Sequence, residues 1–164
     1  YIMPEFDIPT YIIKEISFDD IFTVWTESLW PGRKSKIEPM SSLIWSADTG
    51  LTKDSSIFDK YEPTFFGVVI EDFLVGVNSG FRTDKHVYRS RGLWVDLDHR
   101  GLGLGQVLLN NAISLAKKED CELIWSMPRK SALRTYKSVG FQRHGPWLDK
   151  TVEFGPNTVS YKYL

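Results

Sequence analysis

Gly101, Gly103 and Gly105 alternate with leucines in a run that begins at Leu93 as an apolar strand pattern and opens after Gln106 into an amphipathic helix pattern. Glycine carries no Cβ, so such a turn can take left-handed dihedrals and let a ligand come close to the backbone. The helix behind it offers unpaired N–H groups and a partial positive charge. Together these favour a pyrophosphate without any lysine. The chemistry indicated is the binding of a phosphate-bearing cofactor.

Other glycine-loop chemistries fit less well. A dinucleotide fingerprint needs Gly-x-Gly-x-x-Gly, and here the third glycine comes one residue early. No Gly-Lys-Ser/Thr follows, which excludes a P-loop. The run Gly76-Val-Asn-Ser79-Gly80 places its serine one residue late for a nucleophile elbow. His86, His99 and His144 have no metal-ligand spacing with one another or with Cys121, so no metal is expected.

Alternating elements must position this loop. Thr10 to Ile16 reads as a strand, and Ser17 with Asp20 as a capping box for a helix through Trp30, ended by Pro31-Gly32. From Arg33 to Glu62 the pattern is mixed, and a short helix with loops is expected. Phe65 to Ile70 and Phe73 to Phe81 form a hairpin about Glu71-Asp72, continued by a strand from Tyr88 to Asp96. After the glycine turn, Leu104, Leu108, Ala112 and Leu115/Ala116 share a helical stripe. Leu123 to Met127 is the next strand, Ser131 to Val139 a helix closed by Gly140, and Phe141 to Leu148 and Val159 to Leu164 are the last two strands.

Composition bounds the function classes. With 164 residues, 42% of them hydrophobic, the chain supports one core, and a single domain over residues 1–164 is expected. Twenty basic against twenty-one acidic side chains leave a net charge of −1, so no global field recruits nucleic acid or an anionic membrane. Cys121 is the only cysteine and excludes an internal disulfide. With no long apolar span and no signal-peptide pattern, the expectation is a soluble, cytoplasmic protein.

The pattern Arg100-x-x-Gly103-x-Gly105, preceded by Leu93-x-Val95 and followed at a distance by Ala132-x-x-x-Tyr136-x-x-x-Gly140-Phe141, resembles the GNAT family of N-acetyltransferases. The resemblance spans the whole topology and is carried mainly by residues 93 to 141. It implies an α/β (α+β) fold with a mostly antiparallel sheet of about seven strands flanked by helices and splayed between strands four and five. The splay would hold the pantetheine arm of acetyl-CoA on the backbone of Leu93, Trp94 and Val95. The N–H groups of Gly101, Leu102, Gly103, Leu104, Gly105 and Gln106 would hold the pyrophosphate. Arg100 would position that loop or touch a phosphate.

By the same resemblance, Tyr136 matches the tyrosine whose hydroxyl protonates the departing thiolate, a general-acid role. Asp96 is a candidate base, directly or through a water, with Glu71, Asp72 and His144 as further candidates. Where the histone-type branch carries its glutamate, Arg89 and Ser90 stand instead. The family's asparagine after the fifth strand is replaced by Arg129, which could reach the 3′-phosphate. The acceptor would lie among Trp25, Glu27, Trp30, Trp45 and the span Trp147 to Asn157. Tryptophans beside acidic residues suit a cation, or they pack the core.

The expected activity is therefore transfer of an acetyl group from acetyl-CoA to a primary amine of a small molecule or peptide, by direct attack. Cys121 has no partner to activate it as a nucleophile. The alternative is a non-catalytic acyl-CoA-binding domain. Members of the family often form homodimers, and one is conceivable here.

Overall fold

The computed structural model describes residues 10–149 and 153–164. Strand β1 (Ile12–Ile16) leads into the expected capping box. The Ser17 hydroxyl accepts from the Asp20 N–H at 3.1 Å, and the Asp20 carboxylate accepts from the Ser17 N–H at 3.3 Å. The two bonds satisfy donors that a helix start leaves orphaned. Helix α1 (Phe18–Val24) then widens into a π-helical turn, Trp25–Leu29, and stops at Trp30 before the expected Pro31-Gly32 break.

The mixed stretch holds more regular structure than expected. A two-stranded hairpin, β2 (Leu43–Ser46) and β3 (Gly50–Lys53), precedes a one-turn helix α2 (Ile57–Lys60). Four-residue strands carry too little alternation to register as strands. What fixes this hairpin is tertiary: Trp45 is buried against Trp125 and stacks on Tyr161 at 5.5 Å.

Strands β4 (Thr64–Ile70) and β5 (Phe73–Asp84) form the predicted hairpin. Glu71 and Asp72 sit at φ +50° and +68°, the left-handed pair that a two-residue turn requires to match the strand twist. Next come β6 (Val87–Val95), α3 (Leu104–Lys118), β7 (Leu123–Ser126), α4 (Leu133–Ser138), β8 (Gln142–Leu148) and β9 (Asn157–Tyr163). The seven-stranded sheet runs β1-β4-β5-β6-β7-β9-β8, antiparallel except between β6 and β7. This is the expected mixed α/β sheet flanked by helices.

Both faces of the sheet are covered. Helix α3 buries Leu104, Leu108, Leu109, Ala112 and Ala116 against Phe66, Val68, Tyr88 and Ile124. Each of these leucines contributes about 1.5–3 kcal/mol by leaving water. On the opposite face Ile21 and Trp25 pack on Val77. Helix α4 ends in a Schellman motif, with the Gly140 N–H on Lys137 O at 3.0 Å and the Phe141 N–H on Tyr136 O at 3.1 Å. The motif pins the residue whose side chain matters most below. Among the described residues no helix is long and apolar enough to cross a membrane.

Strands β6 and β7 pair only from Val87 to Arg89 with Leu123 to Trp125. Beyond Arg89 they part, which is the predicted splay between the fourth and fifth strands of the expected order.

Candidate active site

A cleft of about 1040 Å³ fills the gap between the parted strands and extends from the glycine turn to the end of the π-helical turn. Its two ends are built differently, one from backbone and one from charged side chains.

At the first end, β6 is kept open by a local kink. Gly92 has φ +82°, and a Cβ there would meet the Trp25 indole at 2.4 Å, so only glycine fits. The same indole donates its N–H to Gly92 O at 2.9 Å. Leu93, Trp94 and Val95 then run along the cleft wall. The chain turns through a short 3₁₀ segment, Leu97–His99, to Gly101 and Gly103 at φ +81° and +80°.

Gly103 caps α3 with no side-chain hydrogen bond, and the first N–H of the region to find an acceptor is that of Val107, on Gly103 O at 3.1 Å. Among the described residues, the N–H groups from Gly101 to Gln106 therefore have no protein partner. The first N–H groups of a helix have no intrahelical acceptor, and a run of six such donors at a 15-residue helix start is suited to an anion. Gly101, Gly103, Leu104, Gly105 and Gln106 line the cleft, whereas the Leu102 side chain packs into the core. Arg100 also lines it and donates to Val95 O at 3.0 Å, which braces the turn against the strand.

Tyr136 reaches the cleft from α4. Its ring is buried edge-on against Phe141 at 5.3 Å, and its hydroxyl lies 3.3 Å from Ser126 Oγ, which itself donates to Ser90 O at 2.7 Å. Burial pushes the phenol above its ordinary range, partly offset by Ser126 and the nearby Arg89 charge. A phenol held protonated in a cleft has the chemistry of a proton donor.

Asp96 is placed differently. It is not among the residues lining the cleft, and its carboxylate is bound to His99 Nδ1 at 2.8 Å. His99 does line the cleft. Glu71 and Asp72 form the β4–β5 turn, and His144 packs on Trp45, all away from it. Cys121 is also outside, and burial together with Glu119 pushes its thiol up to about 11. That leaves little thiolate near neutral pH.

The second end was only partly foreseen. Trp30 and Asn157 line it, but Trp25 and Trp45 are buried, and Glu27 and Trp147 lie off the cleft. The tryptophan faces are already occupied by the chain's own cations. Arg33 stacks on Trp30 at 4.6 Å, Arg91 on Trp25 and Trp30 at 5.1 and 5.3 Å, and Arg143 on Trp147 at 4.7 Å. Arg129, expected near a phosphate, donates to Leu29 O at 2.7 Å and ties the loop after β7 to the π-helical turn.

Two residues without an assigned role dominate this end. Arg89 and Arg91 are 7% and 6% exposed and both line the cleft. Arg89 lies 4.6 Å over the Trp125 ring and donates to Leu43 O at 3.1 Å; Arg91 donates to Glu38 O at 2.8 Å. Burial pulls the Arg89 guanidinium down to about 10. It pulls Arg91 well below its ordinary value too, helped by the like charges of Arg89 and Arg33. The signal was present in the sequence: two arginines at a period of two inside a central strand must share one face.

The model of the acetyltransferase (GNAT) family matches residues 25–141. Solved structures agree across nearly the whole chain. An Ard1 from Thermoplasma volcanium is 19% identical with a TM-score of 0.65, over 94% of this chain and 97% of that one. A GNAT-family acetyltransferase from Staphylococcus aureus is 16% identical with a TM-score of 0.64, over 94% and 99%. An IAA acetyltransferase from Bacillus cereus is 15% identical with a TM-score of 0.66, over 94% and 100%. At these identities the likeness shows a shared fold. No curated protein matches by sequence.

Proposed function

The chain belongs to the GNAT acetyltransferase family, and from that premise we propose that it transfers an acetyl group from acetyl-CoA to a primary amine bound in the same cleft. The observation that carries this reading is the run of N–H groups from Gly101 to Gln106, without partners among the described residues, opening onto the cleft that also holds the Tyr136 side chain. Those donors fit a pyrophosphate, and the open edge of β6 at Leu93, Trp94 and Val95 fits the amides of a pantetheine arm as an added strand would. Acetyl-CoA would supply the activated thioester.

The chain's residues do the rest. The acceptor end holds the amine, whose nitrogen forms the new C–N bond as it displaces the thiol. Tyr136 donates its proton to the departing sulfur, and water returns to the phenolate the proton that the amine gives up. Expected as a base acting directly or through a water, Asp96 is bound to His99 and off the cleft lining, and would act instead through that imidazole, which lines the cleft. No covalent enzyme intermediate is needed.

The test pairs two measurements on one preparation. Calorimetric titration with acetyl-CoA should give a one-site isotherm, and thiol release should depend on an added amine and be lost in Tyr136→Phe. Absence of acetyl-CoA binding would overturn the reading.

A further inference from the structure

We propose that the acceptor amine carries an anionic group, a carboxylate or a phosphate, which Arg91 and Arg89 receive at the far end of the cleft. The inference rests on the acetyltransferase reading and names the substrate class of that same site.

A guanidinium has five N–H donors. Arg91 spends one on Glu38 O, and Arg89 one on Leu43 O. The Nε of Arg89 is buried with no hydrogen-bond partner among the described residues. Neither arginine has a carboxylate within ion-pair distance there; the salt bridges found are Arg82 with Glu119 and His99 with Asp96. Burying a charge without a counter-charge is costly, and proteins normally supply a partner.

Nearby acidic groups do not pair with either guanidinium. Glu153 accepts from the Lys34 and Ser35 N–H groups at 2.9 and 2.8 Å and faces Arg33, while Glu38 meets Arg91 through its backbone carbonyl and its carboxylate offsets the Arg91 charge only in part, from beyond ion-pair distance. Meanwhile Arg33 and Arg129 add two more cations to the same wall. The stacked tryptophans hold the arginines rigid, which reduces the ordering cost of an incoming anion. A carboxylate or phosphate would complete the pair, and its tether would set where the amine nitrogen sits. A polycationic acceptor would meet like charge.

The experiment compares matched amines as acetyl acceptors: α-amino acids against their carboxamides, phosphoethanolamine against ethanolamine, and spermidine as a cationic arm. Acetyl-CoA binding is measured on the same protein. The expected result is a kcat/KM more than about tenfold higher for the charged member of at least one pair. Which pair responds identifies carboxylate or phosphate.

Equal or better use of the neutral members, or of spermidine, overturns the proposal. If acetyl-CoA binds but no amine is turned over, CoA-saturated protein is titrated with the N-acetylated members of each pair. Selective binding of the anionic ones supports the proposal, and equal or absent binding overturns it. Loss of acetyl-CoA binding itself would instead sink the acetyltransferase reading, and this inference with it.

Arg91→Gln should raise the KM of the preferred amine more than about tenfold and leave the KM of acetyl-CoA within about twofold, with partial rescue in Arg91→Lys. A purely structural arginine would move both or neither. Should Arg91→Gln fail to fold, the wild-type comparison still decides.

Discussion

The two ends of the cleft bind by different means. The glycine-turn end is made of backbone: a strand edge, a turn and a helix start, all between Leu93 and Gln106. The far end is made mainly of side chains from four stretches of chain, with Arg33, Arg89 with Arg91, Arg129 and Glu153 brought together by the fold. Backbone donors need only glycines and a helix in the right order. Side-chain charges can come from anywhere, so this end can vary in specificity while the other keeps its form. The difference predicts that the two ends should fail separately when mutated.

The largest effect is expected where the ends meet. Tyr136→Phe should lower kcat by about 10²–10⁴-fold, the range for a lost general acid, with the acetyl-CoA Kd unchanged by calorimetry. Because burial raises the phenol above its ordinary value of 10.0, its donor form persists as pH rises. The wild-type kcat/KM should therefore climb through neutral pH as the amine deprotonates. No falling limb from the phenol should appear in kcat at saturating amine below pH about 10. A fall near pH 8 would assign the acid elsewhere.

Next in size is Arg91→Gln, which should weaken the anionic amine by about 10–100-fold, as for a lost charge-assisted bond. Its mirror image is Gly103→Ala. At φ +80° a Cβ costs about 1–2 kcal/mol; a turn that relaxes out of that conformation must recover it to bind, which would lower acetyl-CoA affinity by roughly 5–30-fold, while the KM of the amine stays put. Crossed effects, with Arg91→Gln weakening acetyl-CoA or Gly103→Ala weakening the amine, would show that the two ends are one coupled site.

Legibility followed the same division. The cradle could be read residue by residue, since Gly101 and Gly103 need their positive φ locally, and Gly140 likewise announces the end of α4. The Glu71-Asp72 hairpin and the Ser17 cap were equally local. The β2–β3 hairpin was not, because Trp45 gains its place only on Trp125 and Tyr161, far away in sequence. The π-helical widening at Trp25 answers the docking of that indole on Gly92, again a distant residue. For the acceptor end, the tryptophans allow two readings in the sequence, a cationic ligand or core packing. Trp25 and Trp45 are buried in the core, and the faces of Trp25 and Trp30 are taken by Arg33 and Arg91, so the charge offered there is the chain's own.

The smallest effect is expected for Asp96→Asn, and it bears on how the amine loses its proton. The carboxylate lies outside the cleft lining and is held by His99 at 2.8 Å. It can therefore orient the imidazole but does not touch the cleft contents directly. An amine with an ordinary pKa already has a neutral fraction near pH 8, and the cationic wall of Arg33, Arg89 and Arg91 enlarges that fraction by disfavouring a second positive charge. The wall that receives the anion thus lowers the demand for a base. Asp96→Asn should accordingly reduce kcat/KM by less than about tenfold, most visibly below pH 7, against the 10²–10⁴ of a direct base. A loss of about 10² or more would mean that the arginine wall leaves the amine protonated, and would return the base to Asp96.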